Sequence, residues 1–270
     1  MEELSKNNNQ SCATCHNPEL GFSDGVASGI GSGGDILGRN APHIYNLAWA
    51  SSMFWDGRAT TLEEQALGPI VSSAEMKMTP ELALGRLNEI PEYVNRFKNV
   101  YGELTFENVG KALAAFERTF ISDNSAFDQY IAGNKQAMSP SALRGLSVFV
   151  GKGNCVACHD GVNFTDDSFH NIGIDNGDVG RYALDPKPSF KGAFKTPGLR
   201  NIVFSAPYMH DGSLGSLEQV VEHYNTGAVG IADVSPLIKP LKLNVQEKAD
   251  LVAFMAALTD PVIIERPKLP

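Results

Sequence analysis

Two copies of one five-residue motif constrain this chain more than any other feature. Cys12-Ala-Thr-Cys15-His16 lies near the beginning, and Cys155-Val-Ala-Cys158-His159 lies in the second half. The four cysteines of these motifs are the only cysteines among the 270 residues. Two thiols at this spacing can add across the two vinyl groups of a haem, and the histidine that follows can reach the iron.

Two other sites use paired cysteines, namely a thioredoxin-like redox pair and one half of a zinc site. Here a histidine directly follows the second cysteine in both copies, and no further cysteine is left to complete a zinc site. We therefore interpret both motifs as c-type haem sites with His16 and His159 as proximal ligands. Because bacteria attach such haems outside the cytoplasm, the motifs predict a periplasmic protein, and they leave no cysteine for disulfides.

Composition and net charge narrow the class of protein further. Hydrophobic residues make up 43% of the chain and charged residues 20%, which is typical of a globular protein. The net charge of −9 argues against a nucleic-acid binder or a protein that binds an anionic membrane surface. It favours solubility, and it would also suit a basic partner such as a small electron carrier. No stretch reaches the ~20 apolar residues of a membrane span, and Met1–Gln10 is polar, so any export signal is expected to be missing from this sequence.

The two halves of the chain share a layout. The first motif is followed by Gly21-Phe-Ser-Asp24, and the second is followed by Asn163-Phe-Thr-Asp-Asp167. This repetition indicates duplication of a small cytochrome-like unit. We predict a mostly α fold with two cytochrome c-like domains that face each other, residues 1–134 and 135–270, each with one covalent haem.

Helix signals outnumber strand signals. Capping residues, proline at the first helical position and apolar residues at helical spacing mark the predicted helices. These helices are 61–67, one opening at 79–81, 106–121, 139–150, 216–224 and 244–258. The segments 29–34 and 175–188 are rich in glycine or proline and are predicted loops.

Outside the motifs, four histidines could each close an iron on its distal side. They are His43, His170, His210 and His223. A single histidine more often forms a structural hydrogen bond or lies at the surface. An electron carrier needs both irons closed by histidine or methionine, whereas a catalyst needs one iron that is open, and spacing alone does not say which.

Several further segments carry a family resemblance. In the first half they are Arg39-Asn-Ala-Pro42, Phe54-Trp-Asp-Gly-Arg58, Leu62-Glu-Glu-Gln65-Ala66, Gly68-Pro69-Ile70 and Glu75-Met76. In the second half they are Phe194-Lys-Thr-Pro197, Leu199-Arg-Asn201, Ala206-Pro-Tyr-Met-His-Asp-Gly212 and Leu217-Glu218. In this order, from about Ser11 to Leu258, the chain resembles the bacterial di-haem cytochrome c peroxidases, a family that includes the MauG-type enzymes.

The resemblance implies roles for individual residues. Trp55 matches the tryptophan between the two haems, which serves as an electron bridge, although it could be a core aromatic. Glu75 matches the distal carboxylate of the peroxidatic haem, which moves a proton during cleavage of the O–O bond, although such a residue could also be a surface glutamate. Gln65 and Pro69 match residues that line the same pocket. The resemblance also places Arg200 and His210 near the cofactors.

One departure from the family concerns the first haem. Many of these peroxidases carry a histidine before the Asn-Ala-Pro segment that closes this iron until the enzyme is reduced. Here that loop, Gly31 to Gly38, contains no histidine, and His43 lies beyond Asn40, where we interpret it as structural. We predict that the first iron reacts with peroxide without reductive activation.

A second departure concerns the second haem. In the peroxidases its distal ligand is a methionine fourteen residues after the histidine of the Pro-Tyr-x-His-Asp-Gly motif. Counting fourteen residues from His210 reaches Tyr224, and MauG-type enzymes carry tyrosine there. A phenolate is a hard anionic donor, which favours ferric and higher oxidation states. Met209 is a rival ligand, Tyr224 could instead be a core aromatic, and His223 lies on another face of the same predicted helix.

The resemblance further implies a calcium ion between the domains. The matching ligands are the Asn40 side chain and the backbone carbonyls of Ser205 and Pro207. Calcium accepts neutral oxygen donors of this kind.

Three functions remain open at this point. The leading hypothesis is a periplasmic peroxidase that reduces hydrogen peroxide with electrons from a small cytochrome or cupredoxin, passed through the second haem and Trp55. The alternative is a MauG-type enzyme that uses peroxide to oxidise Trp or Tyr residues of a partner protein. The third is an electron carrier without catalysis, against which Glu75 argues.

The family also has an additional N-terminal helix that this sequence is expected to lack. A homodimer is a further expectation.

Overall fold

The computed structural model describes residues 2–260 and Pro270, and in this part of the chain nearly all of the regular secondary structure is helical. Two strands, β1 (Phe169–His170) and β2 (Phe194–Lys195), form one short antiparallel pair. Within the described residues, no helix is both long and apolar enough to cross a bilayer. The helices are α1 (Cys12–Cys15), α2 (Leu62–Val71), α3 (Pro80–Asn88), α4 (Pro91–Tyr101), α5 (Phe106–Glu117), α6 (Ala126–Ile131), α7 (Pro140–Val150), α8 (Leu217–Thr226) and α9 (Val245–Ala256).

The predicted helices begin where their capping residues place them. The side chains of Thr61, Thr79 and Ser139 accept hydrogen bonds from backbone N–H groups in the first turns of α2, α3 and α7. Ser216 does the same for α8, and Asn244 forms a capping box at the start of α9. A cap satisfies backbone donors that the helix itself leaves unpaired, so the start of a helix is encoded locally.

The end of α5 differs from its prediction. The helix ends at Glu117 rather than at residue 121. Beyond it, the carbonyl of Phe120 accepts from the Asn46 amide at 2.9 Å, and the Ser122 amide donates to Asn46 Oδ1 at 2.8 Å. These contacts with a distant segment replace the hydrogen bonds of a further helical turn.

Three helices, α1, α4 and α6, were not among the predicted helices. α4 begins with Pro91 at its first position and is amphipathic over eleven residues, so its sequence carried a signal that the prediction did not use. α6 has six residues and starts with a capping box between Ser125 and Asp128. A helix as short as α1 or α6 has too few residues to show an apolar stripe.

The hydrophobic core is divided between the two halves of the chain. In the first half, α2, α3 and α5 enclose a cluster that includes Ile70, Leu87 and Val109. In the second half, α7 and α9 pack closely enough that a Cβ at Gly145 would lie 1.9 Å from the Asp250 carbonyl oxygen. Phe254 is fully buried at the centre of that second cluster.

α6 belongs to the second cluster by its contacts. The Phe127 ring lies 5.3 Å from Phe164 and 5.8 Å from Phe254, measured between ring centroids. The division into residues 1–134 and 135–270 stays a prediction, and this packing favours a boundary before α6.

Contacts between the halves hold the segment 39–58 against the second half. Arg39 forms ion pairs with Asp56 and with Asp178, both at 2.6 Å. The Lys195 amide donates to the Trp55 carbonyl at 2.7 Å. Arg39 and Trp55, which belong to the segments that carry the family resemblance, therefore lie at the junction of the two halves.

Candidate active site

The first cysteine motif forms a single tight turn. The His16 amide donates to the Cys12 carbonyl at 2.8 Å, which closes α1 and brings the two thiols and the imidazole to one end of the turn. His16 Nδ1 lies 3.0 Å from the Phe22 carbonyl oxygen. Because a carbonyl can only accept, Nδ1 carries the proton and Nε2 keeps its lone pair for a metal.

The second motif repeats this arrangement. The His159 amide donates to Cys155 at 2.9 Å, and His159 Nδ1 donates to the Phe164 carbonyl, also at 2.9 Å. Phe22 and Phe164 both have a positive φ, 62° and 56°, an uncommon conformation for a bulky residue. Such a hydrogen bond orients a metal-binding imidazole and makes it more basic.

The ionisation states fit covalent haem attachment and iron ligation. Burial lowers the pKa of His16 and of His159, so both imidazoles are neutral, as ligation requires. Burial raises the pKa of Cys15 and of Cys155 to about 11, so these thiols stay protonated at neutral pH. The residues present therefore fit a c-type haem at each motif, with a histidine as the proximal ligand.

A large cavity adjoins the first motif. Its volume is about 1140 Å³, somewhat above the ~300–1,000 Å³ of ordinary small-molecule pockets, which suits a group as large as a haem. The predicted residues that line it are Cys12, Cys15, His16, Trp55, Gln65, Pro69 and Glu75. Gln65 and Pro69 are one turn apart on α2 and so share the face of the helix that meets the cavity.

Glu75 is held through its backbone. Its carbonyl accepts from the Ser32 amide at 2.7 Å, and its amide donates to Ser72 Oγ at 3.3 Å. Ser32 belongs to the glycine-rich loop that lacks a histidine. This loop therefore holds in place the segment that carries the predicted distal carboxylate.

Trp55 is anchored from both halves of the chain. Its indole Nε1 donates to the Asn40 carbonyl at 2.9 Å, and its own carbonyl accepts from Lys195. The indole is therefore fixed at the junction, between the first cavity and the strand β2 of the second half.

Tyr224 lies on α8 beside the second motif. Burial raises the pKa of Tyr224, and the nearby thiols of Cys155 and Cys158 raise it further, so the free phenol is neutral. The neighbouring His223 points elsewhere, since its Nε2 lies 2.8 Å from the Ile172 carbonyl oxygen. Met209, the rival ligand, packs against the second hydrophobic cluster.

Of the predicted calcium ligands, Asn40 is hydrogen-bonded to the segment that follows Ser205 and Pro207. The buried Asn40 side chain donates through Nδ2 to the Val26 carbonyl at 2.9 Å, which leaves its Oδ1 as the donor atom for a cation. The Asn40 amide donates to the His210 carbonyl at 2.8 Å, three residues after Pro207. Ser205 is buried in the same part of the chain.

Comparisons with known proteins decide the family. The sequence profile described as di-haem cytochrome c peroxidase matches residues 2–136. The methylamine utilization protein MauG of Methylorubrum extorquens is 43% identical over 99% of this chain and 78% of its own length. The chain belongs to the di-haem cytochrome c peroxidase family. This membership makes it an oxidoreductase that acts on peroxide, and the family carries two c-type haems.

Further relatives include both cytochrome c peroxidases and MauG-like proteins. The cytochrome c551 peroxidase of Pseudomonas aeruginosa is 34% identical over 99% of this chain and 78% of its own length. A crystal structure of a MauG-like protein associated with microbial copper homeostasis matches with a TM-score of 0.90 and 30% identity, over 96% of this chain and 86% of the other. The chain thus has the di-haem peroxidase and MauG-like fold, while its relatives include MauG proteins and cytochrome c peroxidases alike.

Other predicted residues of the enzyme have partners within the protein. Arg200 is buried and donates through both Nη atoms to Asp128 at 2.8 Å, which ties α6 to the second half. The His210 ring stacks on Phe194 at 3.6 Å between centroids. Contact of Arg200 and His210 with a cofactor stays a prediction. His43 Nε2 lies 2.9 Å from the Gly198 carbonyl oxygen, which is the kind of contact that a structural histidine makes.

The sequence analysis missed one residue of the first cavity. Glu117 lies in the last turn of α5, lines the cavity and has a buried Oε2. Burial raises the pKa of Glu117 to about 7. Its position four residues after Leu113, on the apolar face of the predicted helix, was the available signal.

A Gly31→Ala variant tests how the loop holds Glu75. A Cβ at Gly31 would lie 1.8 Å from the Ala74 carbonyl oxygen, so the Glu75 segment has to move. We expect a loss of about 1–3 kcal/mol in the free energy of unfolding, measured with urea, as for other overpacked sites. Gly38→Ala is the control, because a Cβ at Gly38 meets open space. Equal stability of the two variants would contradict this account of the loop.

Proposed function

We propose that this enzyme binds hydrogen peroxide at the first haem and works in the manner of the MauG-type enzymes, which oxidise Trp or Tyr residues of a partner protein. The observation that carries the proposal is that Tyr224 lies on α8 in a buried environment, near enough to Cys155 and Cys158 for their thiols to act on its pKa. A residue in that position can ligate the iron of a haem attached to the second motif. Since such haems are attached outside the bacterial cytoplasm, we also propose a periplasmic location.

The chemistry of a tyrosine ligand supports this choice. The free phenol of Tyr224 is neutral, but a bound iron inverts the local balance and favours the phenolate. A phenolate stabilises the ferric and higher oxidation states, so it lowers the reduction potential of the second haem. An enzyme that removes electrons from a protein substrate benefits from a second haem that is readily oxidised.

The first cavity supplies the peroxide chemistry. Cys12, Cys15 and His16 would hold a haem there, whose iron would supply the site for peroxide. Glu75, positioned through Ser32 and Ser72, moves a proton from the inner to the outer oxygen while the O–O bond breaks. Gln65 and Pro69 shape the pocket, and the loop from Gly31 to Gly38 offers no histidine to close the iron.

Trp55 connects the two sites in this proposal. Its fixed position at the junction supports a role as the bridge for electrons between a peroxidatic haem in the first half and an electron-transfer haem in the second. The hydrogen bond from the indole to the Asn40 carbonyl holds the ring in one orientation, so the ring does not have to reorient before electrons pass.

The second candidate is a peroxidase that takes its electrons from a small cytochrome or cupredoxin. Relatives named cytochrome c551 peroxidase favour it. The net charge of −9 also suits a basic electron donor. This candidate shares the roles of Glu75 and Trp55 and differs in where the electrons come from.

Donor turnover separates the two candidates. The holoenzyme is mixed with hydrogen peroxide and a reduced small cytochrome, and oxidation of the cytochrome is followed optically. The MauG-type function predicts slow turnover that does not increase when the enzyme is first reduced by one electron. Rapid turnover that appears only after this reduction would overturn that function in favour of the peroxidase.

We propose that a calcium ion binds Asn40 Oδ1 and the carbonyls of Ser205 and Pro207. A ligand at one hundred times its dissociation constant stabilises a folded protein by about 2.7 kcal/mol. Adding a calcium chelator should therefore lower the thermal unfolding temperature of the wild type, and Asn40→Ala should lose this sensitivity. The same unfolding temperature for the wild type with excess calcium and with chelator would contradict the site.

A further inference from the structure

The carboxyl group of Glu117 lines the first cavity, and the proposed peroxide chemistry does not use it. Its side chain lines the cavity, and its buried Oε2 has no hydrogen-bond partner among residues 2–260. An unpaired buried oxygen is costly unless the group is protonated or serves a function.

The surroundings of Glu117 disfavour the ionised form of its carboxyl group. The adjacent Arg118 is engaged elsewhere, since its two Nη atoms donate to Glu63 at 2.7 and 3.0 Å. Glu117 also lies at the carboxyl end of α5, where the helix presents partial negative charge. Burial and the Glu63 carboxylate raise its pKa, and Arg118 lowers it, to a net value of about 7. The carboxyl is therefore poised between its two forms near neutral pH.

Glu117 and the first motif line the same cavity. Burial raises the pKa of the Cys12 thiol, and the Glu117 carboxylate raises it further. Cys12 is a residue that would bond a haem held in this cavity, so an uncompensated charge on Glu117 would act on the iron of that haem through a medium of low dielectric constant.

We propose that Glu117 is the redox-linked acid of the first haem cavity, binding one proton when this haem gains one electron and releasing it when the haem is oxidised. The electron comes from the reductant and the proton from solvent, so the net charge of the cavity stays constant. The inference rests on a c-type haem in this cavity and is independent of what the enzyme does with peroxide.

The sign of the effect follows from electrostatics. An ionised Glu117 stabilises the more positive, oxidised iron and lowers its potential. Reduction raises the affinity of Glu117 for a proton. The potential of the first haem should therefore fall as the pH rises through the range in which Glu117 titrates, by up to about 59 mV per pH unit, the equivalent of a tenfold change in a one-electron equilibrium.

Redox titrations followed by EPR, which separates the signals of the two irons, test the proposal on the holoenzyme. Glu117→Gln keeps the shape of the side chain and removes its titration. We expect the variant to lose most of the pH dependence and to have a higher potential than the wild type above pH 7. Glu107→Gln on the same helix is the matched control, because Glu107 is exposed and pairs with Lys111.

Two results would overturn the proposal. One is a Glu117→Gln variant whose potential depends on pH as in the wild type. The other comes from the wild type alone and so does not depend on folding of the variant. Reduced-minus-oxidised infrared difference spectra should show the carbonyl stretch of a protonated carboxyl appearing on reduction, and its absence would contradict proton uptake by Glu117. Neither measurement involves peroxide, so a failure here is distinct from a failure of the proposed function.

Discussion

A Tyr224→Met variant is expected to raise the reduction potential of the second haem, on the order of 0.1 V within the ~0.8 V span that axial ligands set. The reason is that a neutral thioether replaces an anionic phenolate, and the ferric state loses the stabilisation that the negative charge supplies. The second haem should then accept electrons more readily and give them up less readily. The measurement is a redox titration of the variant and the wild type at one pH.

The control for this variant is Tyr182→Phe, which changes a tyrosine of the same half at the surface. It should leave both potentials and both EPR signals as in the wild type. If Tyr224→Met leaves the potential and the EPR signal of the second haem unchanged, Tyr224 does not bind the iron. Met209 would then be the first ligand to examine.

A Glu75→Gln variant should slow the reaction of the enzyme with hydrogen peroxide by about 10²- to 10⁴-fold, the usual contribution of a positioned proton-transfer group. The amide keeps the shape of the side chain but cannot take a proton from the inner oxygen and return it to the outer one. The measurement is the rate of the optical change in a stopped-flow instrument after mixing with peroxide.

Glu89→Gln, an exposed substitution at the end of α3, controls for the loss of one charge in this half. Its rate should equal that of the wild type. A Glu75→Gln variant that reacts with peroxide as fast as the wild type would show that the proton is moved by another group, and Glu117 in the same cavity would be the next residue to test.

The starts of the helices could be predicted better than their ends, since α7 ends at Val150 as predicted but α5 ends before residue 121. A cap such as Thr61 or Ser139 satisfies backbone groups within four residues of itself, so the sequence alone contains the signal. The end of α5 depends on Asn46, which lies more than seventy residues earlier in the chain. Asn46 forms hydrogen bonds with the backbone of the residues that follow Glu117. Contacts of this kind are visible only in the folded molecule.

The candidate site divides in the same way. The cysteine motifs could be recognised because thiols and imidazole act within one turn of the chain. Tyr224 could be proposed as an iron ligand only through the family spacing, since nothing in its own neighbourhood distinguishes such a ligand from a core tyrosine. The carbonyls of Phe22 and Phe164 that orient the two histidines, and the isolation of Glu117, arise from backbone conformation and burial, which no local pattern specifies.

We propose that the oxidised enzyme is ready for peroxide, with an open first iron and Tyr224 on the second. Optical and EPR spectra of the diferric holoenzyme, recorded before and after one equivalent of hydrogen peroxide, test this state of the enzyme. We expect a high-spin first haem, a low-spin second haem without the signature of a methionine ligand, and a rapid spectral change that is complete without any reductant. Two low-spin haems that do not respond to peroxide until one of them is reduced would contradict this state and would indicate a distal ligand on the first iron, with His43, which lines the same cavity, the first histidine to examine.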